Sequence, residues 1–167
     1  MNELIRARRS VRQFFARPIP EDLLEEILLA GMQAPSGKNG QPWKFLLVQK
    51  DKTLLRKIAA LTLYEPFVKK ADALVAVFLD KTQSYHYLKD AQAAGACIQN
   101  MLLQAQEFGI GSCWIGEILN RDGFVKQLLG LDHRLDLMAV IAFGYPDRVQ
   151  EPRARKKSLS ECLIDKK

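Results

Sequence analysis

The chain has 167 residues, 48% of them apolar and 26% charged, with a formal net charge of +6. That length is a prior for one domain, residues 1–167, with enough apolar content to bury a core and the balance of a globular protein. No apolar run approaches the roughly 20 residues that span a bilayer, so no membrane partner is expected.

Residues 2–9 read as a short helix capped by Asn2, broken at Ser10. Arg12 to Pro20 is extended, because Pro18 and Pro20 stop a helix from running through. Pro20-Glu21-Asp22 opens a helix whose buried face is Leu24, Ile27, Leu28 and Gly31. Phe45–Gln49 is the first expected strand, and Asp51 caps a helix with Leu54, Ile58 and Leu61 on one face. Ala73–Leu79 is an unbroken apolar strand, expected to be covered on both faces. A polar loop over 80–88 carries Tyr85, His86 and Tyr87. A long helix then runs to about Phe108, with apolar positions 91, 94, 98, 101, 105 and 108. Five of the six residues from Ala91 to Ala96 are Ala or Gly, which lets another element approach closely. Ser112–Ile115 is a short strand, Gly123–Leu129 a helix ended by Gly130, and Leu137–Phe143 a further strand. SLSECLI, 158–164, alternates and is expected to add an edge strand. Helices interleaved with four or five strands indicate a layered α/β or α+β architecture.

Between the second helix and the first strand lies APSGKNGQPWKFLLV, 34–48. Pro35, Gly37, Gly40 and Pro42 forbid regular helix there. Ser36, Lys38, Asn39 and Gln41 supply polar groups, and Trp43 supplies an apolar pin. A polar, Gly-punctuated loop feeding a buried strand is either a ligand-presenting loop or an ordinary connector.

Positive charge gathers at both ends: Arg6, Arg8, Arg9, Arg12 and Arg17, then Arg153, Arg155, Lys156, Lys157, Lys166 and Lys167. Such ends suit an anionic partner or solvated tails. In extended chain, alternate residues share a side, so Arg8, Ser10 and Arg12 put two guanidinium forks and a hydroxyl on one spot, as a phosphate requires. GIGSCWIG lacks GxGxxG spacing, and there is no GxxxxGK[ST], so a Rossmann or P-loop site is not indicated. Cys97, Cys113 and Cys162 are scattered, with no CxxC, and His86 and His133 are the only histidines. That argues against a disulfide framework, a zinc site or a hydrolytic triad, and for reduced thiols in a cytoplasm. MNELIRARRSVR has no apolar segment after its charges and does not read as a secretory signal. Any chemistry therefore falls to a bound cofactor.

Four stretches, in order, resemble the nitroreductase-like flavoproteins that bind flavin mononucleotide (FMN). They are RRSVRQF, APSGKNGQPWKF, DAQAAGACIQNMLLQAQEFGIGSCWIGEI, and FGYP followed by RARKKSLSECL. Together they span about Ile5 to Leu163. The resemblance implies an α+β fold with a central mixed β-sheet flanked by helices, a long central helix, and a homodimer with two FMN sites at its interface. Arg8, Arg9, Ser10 and Arg12 would hold the phosphate and ribityl end. Pro35, Ser36, Gly37 and Asn39 would come from the other subunit to cover the ring. Ile115 and Gly116 would lie beside the isoalloxazine, and Arg155 with Lys156 or Lys157 would return to the phosphate. NADH or NADPH would supply hydride, and a nitroaromatic, quinone or similar small-molecule acceptor would consume it in ping-pong fashion. No side chain is expected to act as catalytic acid or base.

The same resemblance leaves room for dehalogenation, enone reduction or flavin breakdown. The basic ends alone would equally suit a non-catalytic binder of an anionic ligand or a nucleic acid, though Phe14 and Phe15, which follow Arg12, read more simply as core than as the interleaved aromatics of a nucleic-acid surface. The chain departs from the family pattern at Tyr64-Glu65-Pro66-Phe67, where many small members have Asn before the Pro-Phe. It departs again at Ala71-Asp72, where many have Ala-Pro, which reads as local backbone variation. Tyr85, His86 and Tyr87 would either cap the substrate cleft or pack as a surface loop.

Overall fold

The structure, a computed structural model, describes residues 2–148 and 154–165; Arg153, Lys166 and Lys167 of the basic ends lie outside them. Helix α1, Glu3–Ala7, begins where the Asn2 side chain accepts the Leu4 N–H at 2.9 Å. It is shorter than the expected 2–9 because Arg8 is already extended. Arg9 Nη1 then donates to the carbonyls of Arg6 and Arg8 that the helix leaves open.

Helix α2 spans Glu21–Met32, and strand β1 runs Trp43–Val48. Helices α3, Lys52–Ala59, and α4, Glu65–Val68, follow. Strand β2 is Ala73–Asp80, helix α5 Tyr87–Glu107 and strand β3 Gly111–Ile115. Helix α6, Asp122–Leu129, ends on Gly130 at φ 63°, and strand β4 is Leu135–Gly144.

The four strands form one sheet in the order β1-β2-β4-β3, antiparallel throughout. The sheet, expected to be mixed, is thus antiparallel among its strands; the parallel pairing is an isolated bridge from Ser10 to Ser112 outside them. Side-chain alternation splits the core. Val75 and Val77 of β2 and Ala139, Ile141 and Phe143 of β4 face α2 and α5. Leu74, Ala76 and Phe78, with Val140 and Ala142, face α3, α4 and α6. Every residue of β2 is buried, as its unbroken apolar run requires.

Of the expected face of α5, positions 94, 98, 101 and 105 are fully buried and 91 and 108 half-buried. The close approach lies between α2 and α5, where a Cβ on Gly31 would stand 2.6 Å from Met101. Of the small residues 91–96, Gly95 lies beside an indole: Trp114 reaches to 3.7 Å of its Cβ position.

One expected element is replaced. Residues Leu159–Cys162 form a short helix, α7, rather than an edge strand. Ser158 and Glu161 make a reciprocal capping box, with the Ser158 N–H donating to Glu161 at 2.7 Å.

Candidate functional site

The basic N-terminal strap is laid on the sheet by backbone pairing. The Val11 N–H donates to Ser112 O at 2.9 Å, and Ser10 bridges Ser112. Further along, the Phe15 N–H donates to Tyr145 O at 2.8 Å, and Phe14 bridges Pro146. Two glycines make room. A Cβ on Gly111 would stand 2.9 Å from three Val11 atoms, and one on Gly144 would stand 2.7 Å from the Phe14 ring.

This seating gathers positive charge. Arg8 and Arg9 are half-buried. Burial, then the charges of Arg155 and Arg9, lower the pKa of Arg8 from the ordinary arginine value. Both basic ends therefore reach one place, although Arg155 lies far along the chain. Among the described residues no carboxylate pairs with Arg8, Arg9, Arg12 or Arg155. The Nε of Arg9 is buried and without a hydrogen-bond partner. Three crowded guanidinium groups with an orphaned donor form a site that an anion would relieve. Lys156 and Lys157 are exposed, and no hydrogen bond or ion pair among the described residues ties them to this cradle.

Cys113 lies beside the strap. Burial pushes its thiol up, against the opposing pull of Arg12, the Ser10 hydroxyl and Arg8. Cys97, within the core, is pushed up to about 12 by burial alone. Neither has the low pKa of a nucleophilic thiolate.

Ile115 is buried at the end of β3 and Gly116 is exposed just beyond it. The carboxylate of Glu117 accepts from Thr62 Oγ1 at 2.8 Å and from the Leu63 N–H at 3.1 Å. This latch couples the 115–117 turn to the segment before α4. That segment walls a cavity of about 360 Å³, with Arg12, Phe14, Tyr64, Phe67 and Lys70 among its lining. Tyr64, at the position where many small family members carry Asn, faces this cavity. Sequence reasoning missed Glu117 and the cavity, because their partners lie far away in the chain.

The 35–41 loop is built from strained backbone. Lys38, Asn39 and Gln41 have φ of 54°, 53° and 46°, left-handed values that cost of order 1–3 kcal/mol each outside glycine. The Gln41 N–H donates to Ser36 Oγ at 3.0 Å, and its side chain donates to Asn39 Oδ1 at 3.2 Å. Trp43 is buried at the loop's exit, in the layer between the sheet and α5.

Within one chain the loop and the cradle stay apart. The loop feeds β1 and the strap follows β3, and these are the outer strands, three spacings or roughly 14 Å from each other. They also lie at opposite ends of the sheet. Ser112 neighbours Phe143 and hence Ala73, whereas Trp43 neighbours Leu79, about 20 Å along the strand. Pro35, Ser36, Gly37 and Asn39 therefore lie at the far corner of the sheet from the strap that follows Arg8 in the same chain.

A model of the Nitroreductase family matches residues 5–78 and 60–145. A protein of Archaeoglobus fulgidus, provisionally named an NADH dehydrogenase/NAD(P)H nitroreductase, is 34% identical over 147 residues, covering 86% of this chain and 84% of its own. A structure from Desulfovibrio desulfuricans, provisionally named a nitroreductase and solved with FMN, has a TM-score of 0.93 and 38% identity. That match covers 99% of this chain and 95% of the other. The NADPH:FMN oxidoreductase of Vibrio harveyi, solved with NAD+, has a TM-score of 0.88 and 25% identity, over 99% of this chain and 76% of its own.

Proposed function

The chain belongs to the nitroreductase family, and from that premise we propose that it is an FMN-dependent NAD(P)H oxidoreductase reducing nitroaromatics, quinones or similar electron-poor acceptors. We read residues 1–167 as one such domain, working in the cytoplasm as a homodimer. The observation that carries this is the cradle of Arg8, Arg9 and Arg155 with its buried, unpartnered Arg9 Nε. These donors fit the phosphate of FMN: planar forks suited to bidentate contact, with Arg8 and Arg9 half-buried and Arg155 exposed beside them. FMN held there would supply hydride transfer from NADH or NADPH to the acceptor.

The protein's share is to bind, orient and exclude water. Arg8, Arg9 and Arg155 hold the phosphate, with Ser10 and Arg12 continuing along the ribityl chain. The exposed Lys156 and Lys157 add charge at the rim. The backbone at Ile115 and Gly116, fixed through the Glu117 latch, would lie beside the ring with one backbone N–H toward it. Because the 35–41 loop lies at the far corner of its own sheet, Pro35, Ser36, Gly37 and Asn39 of a second copy cover the ring. Exposed apolar side chains support this pairing: Leu159 and Ile164 of the C-terminal segment are 71% and 104% exposed. No side chain is assigned as acid or base, and reduction and reoxidation would be two half-reactions sharing one cleft.

The test is titration with FMN, followed by quenching of flavin fluorescence. Charge-assisted contacts to a phosphate contribute about 1.5–3 kcal/mol. Arg8→Ala should therefore weaken binding about tenfold to a hundredfold. A variant that holds FMN as tightly as the parent would remove the cradle from the site.

A further inference from the structure

Three non-glycine residues of the 36–41 loop sit at positive φ, and hydrogen bonds inside the loop, from Asn39, Gly40 and Gln41, hold part of that shape. Support from outside the loop comes from Tyr85. Its ring and hydroxyl fill the space in front of Gly37, so closely that a Cβ there would overlap them. The Nζ of Lys38 lies 5.0 Å from the ring centre, and the Nζ of Lys89 lies 5.5 Å from it. Among the described residues the Tyr85 hydroxyl makes no hydrogen bond, so ring and hydroxyl meet the loop by packing alone.

Tyr85 is pinned from behind. Asp90, in the first turn of α5, is 1% exposed. Its carboxylate accepts from Ser84 Oγ at 2.7 Å and from the N–H groups of Tyr85 and His86, both at 3.1 Å. Burial alone would raise its pKa, but the donors from Ser84, His86 and Tyr85 outweigh that and hold it lowered. The carboxylate stays ionised and the 84–86 turn stays fixed. A line of contacts thus runs from the long helix, through Asp90 and Tyr85, to Gly37 and Lys38.

We propose that Tyr85 is a positioning residue whose ring, anchored through Asp90, holds the 36–41 backbone in the shape that presents Ser36 and Asn39 to the flavin. The brace deepens the function proposed above and rests on it for the identity of the ligand. It does not need the ligand to exist, because the contacts are formed within the chain.

Hydrogen exchange in the protein without added flavin tests it. The amides of Asn39, Gly40 and Gln41 donate to Ser36 O, Gly37 O and Ser36 Oγ, so each reports on loop order. In Tyr85→Ala these amides should exchange about tenfold faster or more, while Tyr85→Phe keeps the parent's rates. Gly37→Ala should loosen the loop in the parent yet be tolerated beside Tyr85→Ala, since the overlapping ring is gone. Unchanged exchange in Tyr85→Ala, or additive effects in the double variant, would overturn the brace. With FMN, Tyr85→Ala should raise Kd about tenfold and Tyr85→Phe should not. Faster exchange with an unchanged Kd would overturn the positioning role. A parent protein that binds no FMN would count against the proposed function, while the exchange data alone decide the brace.

Discussion

At Asp72 a single carboxylate joins three distant parts of the chain. It accepts the Ile19 N–H at 2.8 Å, Gln49 Nε2 at 2.8 Å and Lys52 Nζ at 2.8 Å. Read in the sequence, Ala71-Asp72 is only a local departure, because its partners lie as far as 53 positions away. Asp72→Ala leaves the Ile19 N–H and the Gln49 amide unsatisfied, and should cost about 2 kcal/mol in urea unfolding. Burial alone would raise the Asp72 pKa, but the bonds from Ile19, Lys52 and Gln49 hold it below the ordinary aspartate value. A depressed carboxylate stabilises the fold above its unfolded pKa, near 3.9, and loses that contribution as pH falls through the folded value. The gap in stability between parent and Asp72→Asn should therefore shrink on acidification below about pH 4. A gap that stays constant with pH would show that Asp72 acts through packing rather than charge.

Among the elements, those defined by periodicity were legible: α2, α5, β2 and β4 lie where the apolar spacing places them. The C-terminal piece was misread because SLSECLI satisfies two patterns at once. Its alternation suggests a strand, yet Ser158 three residues before Glu161 is a capping box, and at the surface the satisfied donors decide. The strap over 10–14 was legible only as extended chain. What it lies on follows from Gly111 and Gly144, whose missing side chains admit Val11 and Phe14. Gly111→Ala forces its Cβ against the branched carbon of Val11, which cannot swing away. It should lower stability by about 1–3 kcal/mol in thermal melting without flavin, and weaken FMN binding by shifting Arg8 and Arg12. A melt and an affinity equal to the parent's would mean that the strap is not seated through this contact.

At the scale of the whole molecule, the Arg8–Arg12 strap and the 35–41 loop were readable as motifs because each is local in sequence, whereas the arrival of Arg155 beside Arg8 is not. The separation of strap and loop was not readable, since it depends on strand order and on which end of the sheet each occupies. That separation carries a prediction of its own. Arg8→Ala damages the site that its own chain holds, and Ser36→Trp damages the site that its chain covers. In a mixed dimer one site carries both changes and the other carries neither. Mixing two inactive variants should therefore restore about one site in four under random exchange of subunits. Mixtures as inactive as the separate variants would place the whole site in one chain.

The most direct measurement is the visible spectrum of the protein loaded with FMN, taken anaerobically before and after NADPH or NADH is added. The account predicts flavin bands that bleach on addition of the nucleotide and return when a nitroaromatic or quinone is supplied. A protein that takes up no FMN, or whose bound flavin neither nucleotide reduces, would contradict it.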